Sequence, residues 1–290
     1  MARMNPVVVV GDDGYAEALT GFLADRGGVR LVSPDAHYLQ DSMATAQWII
    51  EAAGRDPERK RAVLAHCATT VCPVVTSDSS VITRAELIAG LPADFQRRHA
   101  VAHFFFPLKY CPLVELVTGS EAAAPMNDKA VAILQSRLSG DLGRAVVRLP
   151  DNAGFCANRV GLFTIAVAFS RALSSEADRG AIDSMAIPAL GLPRSGLFGT
   201  AGLIGFPTLI ALLSALMQRL RADDPLSEHG STALEALGRE DAPGRASAAE
   251  AVVAALACDR DNYMALVAGQ NGLDMETLRR IMTQSYGWSK

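Results

Sequence analysis

Val7-Val8-Val9-Val10-Gly11-Asp12-Asp13-Gly14-Tyr15-Ala16 runs from four consecutive valines through a glycine turn into a stretch of helical spacing. A β-branched run, a turn and apolar positions three and four apart over Tyr15–Arg26 read as a strand passing directly into a helix. The alternation continues. Strand signals recur at Val29–Val32, Trp48–Ile50, Pro73–Thr76, Ala100–Phe105, Leu113–Val117 and Ala145–Arg148. Helical patterns fall at Pro57–Thr69, Thr83–Ile88 and Met126–Ser139. Strand and helix in alternation predict an α/β fold, a Rossmann-like and mainly parallel sheet covered by helices. After Pro150 the strand signals stop. Ala153–Leu173, Ala181–Leu190, Leu197–Leu220, Ser247–Ala268 and Met275–Gln284 read as helices. Their separators are Gly191-Leu192-Pro193, Ala222-Asp223-Asp224-Pro225 and Asp241-Ala242-Pro243-Gly244. The expected organisation is an α/β domain over residues 1–149 and an all-helical domain over 150–290, hinged near Leu149–Asn152.

Composition bounds the function. Of the 290 residues 50% are apolar, which excludes a disordered chain. The 27 Lys and Arg against 31 Asp and Glu leave a net charge of −4, with no basic excess to neutralise phosphates, so no nucleic-acid partner is expected. The longest apolar stretch, Ala201–Met217, carries Pro207, Thr208 and Ser214 and is shorter than the ~20 residues of a membrane span. It reads as a buried core helix, with no membrane partner. Met1-Ala2-Arg3-Met4-Asn5-Pro6 lacks an apolar leader, so no signal peptide is expected. Cys67, Cys72, Cys111, Cys156 and Cys258 are odd in number and scattered, reading as small buried hydrophobes in a reducing, cytoplasmic setting. The five histidines are scattered too, so no metal site is expected.

Two places carry chemistry. Gly11-Asp12-Asp13-Gly14-Tyr15-Ala16 sits where the dinucleotide fingerprint G-x-G-x-x-G/A belongs, with Gly11 and Ala16 at its first and third positions. Asp13 stands at the middle position, where backbone should approach a pyrophosphate, and adds bulk and like charge; Asp12 adds more. After the second strand come Ser33 and Pro34, with the ribose-binding acid, if Asp35, late. The turn reads either as a nucleotide cradle or as a plain sheet-to-helix turn. Further on, His103 ends one strand and Glu115 lies inside another. A carboxylate in an apolar strand is costly unless paired, and a histidine across the sheet is a suitable partner. The pair is either a general acid/base dyad or a structural ion pair beside a core histidine.

Ser77-Asp78-Ser79-Ser80-Val81, His103-Phe104-Phe105-Phe106-Pro107 and Pro112-Leu113-Val114-Glu115-Leu116-Val117 resemble the motifs S-N-T-S-S-L, H-F-F-N-P-V and P-L-V-E-V-V of the L-3-hydroxyacyl-CoA dehydrogenases. Ile49-Ile50-Glu51-Ala52-Ala53 with Lys60, Asp151-Asn152-Ala153-Gly154-Phe155-Cys156-Ala157-Asn158-Arg159, and Ile182-Asp183 through Gly205 are similar to further motifs of that family. The resemblance implies NAD as cofactor and an acyl-CoA or acyl-carrier thioester as substrate, with homodimerisation through the helical domain. It implies that His103 is the general base for the 3-hydroxyl, that Glu115 orients it, that Ser79 bonds the substrate oxygen and that Asn158 holds the thioester carbonyl. Gly11, Asp13, Ala16, Ser33 and Lys60 fall at its cofactor-binding positions.

The departures cluster on the cofactor side. Besides Asp13, Phe106 replaces the N of H-F-F-N-P, and Arg55 replaces an acid placed near the nicotinamide. Only fifteen residues separate Val32 from Trp48, where the family inserts a helix pair and another strand, so one βα unit looks excised. Leu273-Asp274-Met275 through Trp288 resembles the stretch from Ile182 and reads either as a shortened second helical repeat or as two ordinary amphipathic helices. Two functions follow as expectations: an NAD-dependent 3-hydroxyacyl thioester dehydrogenase, or a relative that has lost the cofactor and keeps the acyl cleft.

Overall fold

The computed structural model describes residues 4–119, 125–238 and 244–290. Met1–Arg3 and most of the Asp241-Ala242-Pro243-Gly244 separator lie outside the described residues. The chain forms two compact units, Met1–Asn152 and Ala153–Lys290.

The first unit runs β1 (Met4–Val10), α1 (Gly14–Ala24), β2 (Gly27–Val32), α2 (Leu39–Met43), β3 (Trp48–Glu51), α3 (Pro57–Ala68), β4 (Val75–Ser77), α4 (Arg84–Ile88), α5 (Ala93–Gln96), β5 (His99–Phe104), β6 (Leu113–Val117), α6 (Asp128–Gln135) and β7 (Ala145–Arg148). The strands form one sheet in the order β2-β1-β3-β4-β5-β6-β7, parallel except between β5 and β6. Val7–Val10 are buried because β1 is central and covered on both faces. At the edge, β2 alternates between half-buried and exposed over Gly27–Leu31. The switch point lies between β1 and β3, where successive connections leave in opposite directions. Ligands of open α/β sheets bind there, outside the carboxyl ends of the strands. In the doubly wound order 3-2-1-4-5-6 a further strand flanks the second. Here the β2–β3 connection holds α2 alone.

Side-chain caps set the helix starts. Asp13, Asp56, Thr83 and Asn127 each accept a hydrogen bond from an N–H of the helix that follows. The 126–139 pattern splits: α6 ends at Gln135 and a π-helical turn, Ser136–Asp141, leads to β7. The short helices α2 and α5 give too few turns to show a period.

The second unit comprises α7 (Ala157–Ser175), α8 (Arg179–Leu190), α9 (Phe198–Ile204), α10 (Phe206–Met217), α11 (Pro225–Leu237), α12 (Ala249–Asn271) and α13 (Met275–Tyr286). α7 is buried all round from Ala157 to Ser170, with α11 and α12 packed against it. The expected single helix over Leu197–Leu220 is two, bent by 95° at Gly205, whose φ of +87° suits glycine alone. Nor is that stretch a fully buried core helix: Leu203 and Phe206 are exposed, and only Leu209, Leu213 and Leu216 of α10 are buried. Among the described residues no single helix is long and apolar enough to cross a membrane.

Ala222–Pro225 separates helices as expected, but it also starts α11, which the sequence reading lacks. Asp224 caps α11 at Leu226 N–H (3.0 Å) and accepts from the buried Arg159 (2.6 Å) and Tyr263 (2.9 Å). Four cysteines are buried; Cys258 is exposed, contrary to expectation, because it lies on the outer face of α12.

Candidate functional site

At the carboxyl end of β1 the chain turns so tightly that a side chain at Gly11 has no room. A Cβ there would lie 2.5 Å from the Ala16 Cβ and 2.6 Å from the Ala52 carbonyl oxygen. Gly11 and Ala16 thus let α1 settle against the ends of β1 and β3. Gly11 N–H donates to the Val32 carbonyl at 3.0 Å, and Asp35 N–H to Ser33 Oγ at 3.3 Å. Gly11, Asp13, Ala16 and Ser33 therefore meet at the carboxyl ends of β1 and β2.

Asp13 does not project as a bare charge. Its Oδ1 accepts Ala16 N–H at 2.9 Å, and its carbonyl accepts Glu17 N–H. Among the described residues no hydrogen bond engages the N–H groups of Gly14 and Tyr15. Two donors at the positive end of α1 remain for an anion. Asp12 is paired at 2.5 Å with Arg59, which also reaches Asp35 at 3.3 Å. The sequence reading missed Arg59 because its link to the turn spans 47 positions.

Lys60, the next residue, corrects the expectation of a cofactor contact. It is buried and its three protons are spent on Glu51 Oε1 (2.9 Å), Glu51 Oε2 (3.1 Å) and the Asp78 carbonyl (2.7 Å). Glu51, fully buried at the end of β3, also accepts Ala53 N–H at 2.7 Å. Lys60 is a structural countercharge. Arg55, by contrast, is exposed.

His103 and Glu115 stand directly opposite each other in the antiparallel β5–β6 ladder. Opposed residues share a face of the sheet, with Cβ atoms roughly 4.5–5.5 Å apart. Both are buried. The His103 Nδ1 lies 3.2 Å from Oδ1 of Asp78, which also accepts Phe104 N–H at 3.0 Å. Burial pushes the Asp78 carboxyl up, but His103, then Lys60 and the Phe104 N–H, outweigh it and hold it below the ordinary carboxylate range. Asp78 is the site residue that sequence reasoning missed. Its signal was a charge change: the similar motif carries N at that position.

Ser79 is corrected too. Its hydroxyl donates to the Ile82 carbonyl (2.8 Å) and accepts Ile82 N–H (3.0 Å), so its one proton closes its own turn and is not offered to a substrate. Tyr15 brings a buried hydroxyl to the side of Asp78, its ring 5.6 Å from that of the exposed Phe106. Burial first, then Asp78 and Asp13, hold this phenol well above its usual range. His99, a second buried histidine, contacts Ser77 Oγ at 3.1 Å and is held well below the usual imidazole range by burial, then by Arg84 and Lys60. It is a neutral core residue. In the helical unit, Asn158 lies in the first turn of α7 and accepts a hydrogen bond from Tyr286.

The His103 Nδ1 is engaged by Asp78. The α/β unit thus joins an anion-accepting helix start to a carboxylate-held imidazole along one edge of the sheet.

Residues 29–151 match the family described as 3-hydroxyacyl-CoA dehydrogenase, NAD binding domain. The chain is 32% identical over 151 residues to a putative fatty acid oxidation complex trifunctional enzyme of Rickettsia felis, covering 52% of this chain and 20% of that one. It is 27% identical over 188 residues to a probable 3-hydroxyacyl-CoA dehydrogenase of Bacillus subtilis, covering 63% and 23%. The chain therefore spans about a fifth of the length of these relatives. In fold it is similar to FadB2 of M. tuberculosis, with a TM-score of 0.67, 21% identity and coverage of 78% and 90%. It is equally similar to the (S)-3-hydroxybutyryl-CoA dehydrogenase PaaH1 of Ralstonia eutropha, with a TM-score of 0.67, 20% identity and coverage of 80% and 93%. The match over residues 29–151 takes in the His103 and Glu115 motifs, so the α/β unit is similar to the NAD binding domain of the 3-hydroxyacyl-CoA dehydrogenases over less than half of the chain.

Proposed function

We propose that this chain is an NAD-dependent oxidoreductase that interconverts 3-hydroxyacyl and 3-ketoacyl thioesters. The observation that carries this reading is His103 held by Asp78 and faced by Glu115, on the same sheet edge as the nucleotide turn. The residues fit a dinucleotide: Gly11 permits the close turn, Gly14 and Tyr15 offer N–H groups, and Arg59 offsets the charge of Asp12. When bound, NAD supplies the hydride acceptor in oxidation and its reduced form the donor in reduction. His103 Nε2 takes the proton of the 3-hydroxyl in oxidation and returns it to the 3-keto oxygen in reduction. Asp78 and Glu115 stabilise the imidazolium formed on the way. Consumption of NADH on addition of acetoacetyl-CoA to the purified chain is the expected result; its absence at millimolar thioester contradicts the reading.

The carboxylates of the turn favour a second reading, a relative that binds the thioester without the cofactor. Asp13→Ser separates the two. Serine keeps a side-chain cap on Ala16 N–H, so helix stability stays within about 1 kcal/mol of the parent. Removing the charge is expected to tighten NADH binding about two- to fivefold, since a charge at a helix start shifts an anion's energy by roughly 0.3–1 kcal/mol. Unchanged NADH affinity in a fluorescence titration means that no pyrophosphate meets this turn.

The homodimeric reading is supported by the exposed Met185, Leu203 and Phe206 on α8, α9 and α10.

A further inference from the structure

We infer that Phe106 is a binding residue for the nicotinamide ring, which it meets together with Tyr15 as an aromatic platform that favours the oxidised, cationic form of the cofactor. The inference rests on the dinucleotide reading proposed above. It gives a role to a departure from the similar motif that the proton transfer at His103 leaves unused.

The ring of Phe106 is 52% exposed. A single exposed apolar residue is ordinary; the place of this one is not. β5 runs parallel to β4, β3 and β1, so its end opens on the same side of the sheet as the turn after β1. Phe106 lies two residues beyond β5 and three after His103. Its ring stands 5.6 Å from that of Tyr15, inclined by 47°. Tyr15 is the second residue of α1, and its N–H is one of the two that the turn keeps for a pyrophosphate.

The chemistry confines the nicotinamide to this interval. The pyrophosphate binds at the helix start, and the nicotinamide hangs from it by one ribose. For hydride transfer its ring must come within roughly 3–3.5 Å of the carbinol carbon. The oxygen on that carbon must lie within roughly 2.6–3.2 Å of a nitrogen of His103. The ring is thus held between the start of α1 and His103, the two places that Tyr15 and Phe106 join.

Charge then decides between the two forms of the cofactor. The face of an aromatic ring attracts a cation. Nicotinamide is a positive ring in oxidised NAD and a neutral one in NADH. The carboxylates of Asp78 and Asp13 both bear on the Tyr15 hydroxyl, against Arg144. That guanidinium is engaged elsewhere, 4.1 Å over the Phe22 ring and donating to the Cys111 carbonyl at 2.9 Å. The paired rings stand in surroundings that suit a positive ring. The asparagine of the similar motif offers hydrogen bonds and no aromatic face.

Phe106→Leu in the full chain keeps apolar bulk and removes the π face, at a half-exposed position that tolerates substitution. In equilibrium titrations it is expected to weaken the binding of oxidised NAD about three- to tenfold and that of NADH less than about twofold. ADP-ribose, which has both phosphates and no nicotinamide, is expected to bind as it does to the parent. Phe106→Tyr restores a ring and is expected to hold NAD within about twofold of the parent. Unchanged NAD affinity in Phe106→Leu, or NAD weakened no more than NADH or ADP-ribose, overturns the inference. Because the readout is binding, it stands apart from turnover. A parent that binds NAD selectively through Phe106 but leaves acetoacetyl-CoA untouched by NADH supports the platform and contradicts the oxidoreductase reading. A parent that binds no dinucleotide removes both.

Discussion

Replacing His103 by Gln is expected to slow NADH-dependent reduction of acetoacetyl-CoA by about 10²–10⁴-fold, the range supplied by a positioned general acid/base. Glutamine can still donate an N–H toward Asp78, so the hydrogen bond that His103 makes at 3.2 Å has a replacement. What it lacks is a ring nitrogen able to take the substrate's proton and give it back. Because the glutamine keeps the Asp78 contact and β5 is three strands from β1 in the sheet, NADH affinity is expected to stay close to that of the parent. The two readouts divide the outcomes. Lost turnover with retained NADH binding assigns the proton transfer to His103. An active His103→Gln variant removes that assignment, and a joint loss of both properties points to misfolding.

Lys60→Met carries the largest expected cost in stability. Lys60 and Glu51 are almost wholly buried, and Lys60 is the cation paired with the Glu51 carboxylate. Removing one member of a buried pair strands the other, at a cost of roughly 3–5 kcal/mol, a large part of the ~5–15 kcal/mol by which a domain is folded. Lys60→Met with Glu51→Gln removes both charges and is expected to recover most of that loss. Urea midpoints of the parent, the single and the double variant measure it. A single-variant loss below about 1 kcal/mol would contradict the buried-pair reading and return Lys60 to the cofactor-binding position that the resemblance implied.

The neighbouring Arg59 and Lys60 show where sequence reading stops. Successive residues of a helix point about 100° apart, so one cation of α3 reaches the nucleotide turn and the other turns under β3 and β4. Motif similarity picks out Lys60; the phase of the helix, which a mean hydropathy pattern as weak as that of Pro57–Ala68 does not disclose, picks out Arg59 for the turn. Strands were readable where burial on both faces forces continuous β-branched runs, as in Val7–Val10 and Leu113–Val117. The His103–Glu115 opposition was readable because both lie in such strands. Asp78 was not, since a carboxylate just beyond a three-residue strand carries no periodic signal of what it faces. Ser79 misled for the converse reason: a serine after a strand serves a substrate or its own turn with the same sequence, and here Ile82 takes its proton. α11 was hidden because Asp224-Pro225, read as a separator, is equally a cap and first residue of a helix.

NADH binding by the unmodified chain tests the central claim most directly, because both the acid/base assignment and the charge argument at the turn need a dinucleotide on this sheet. Titration followed by nicotinamide fluorescence is expected to saturate with a dissociation constant on the order of micromolar to submillimolar, the range in which cofactor-using enzymes work. No saturable signal at millimolar NADH, from a chain shown by its cooperative unfolding to be folded, would contradict it.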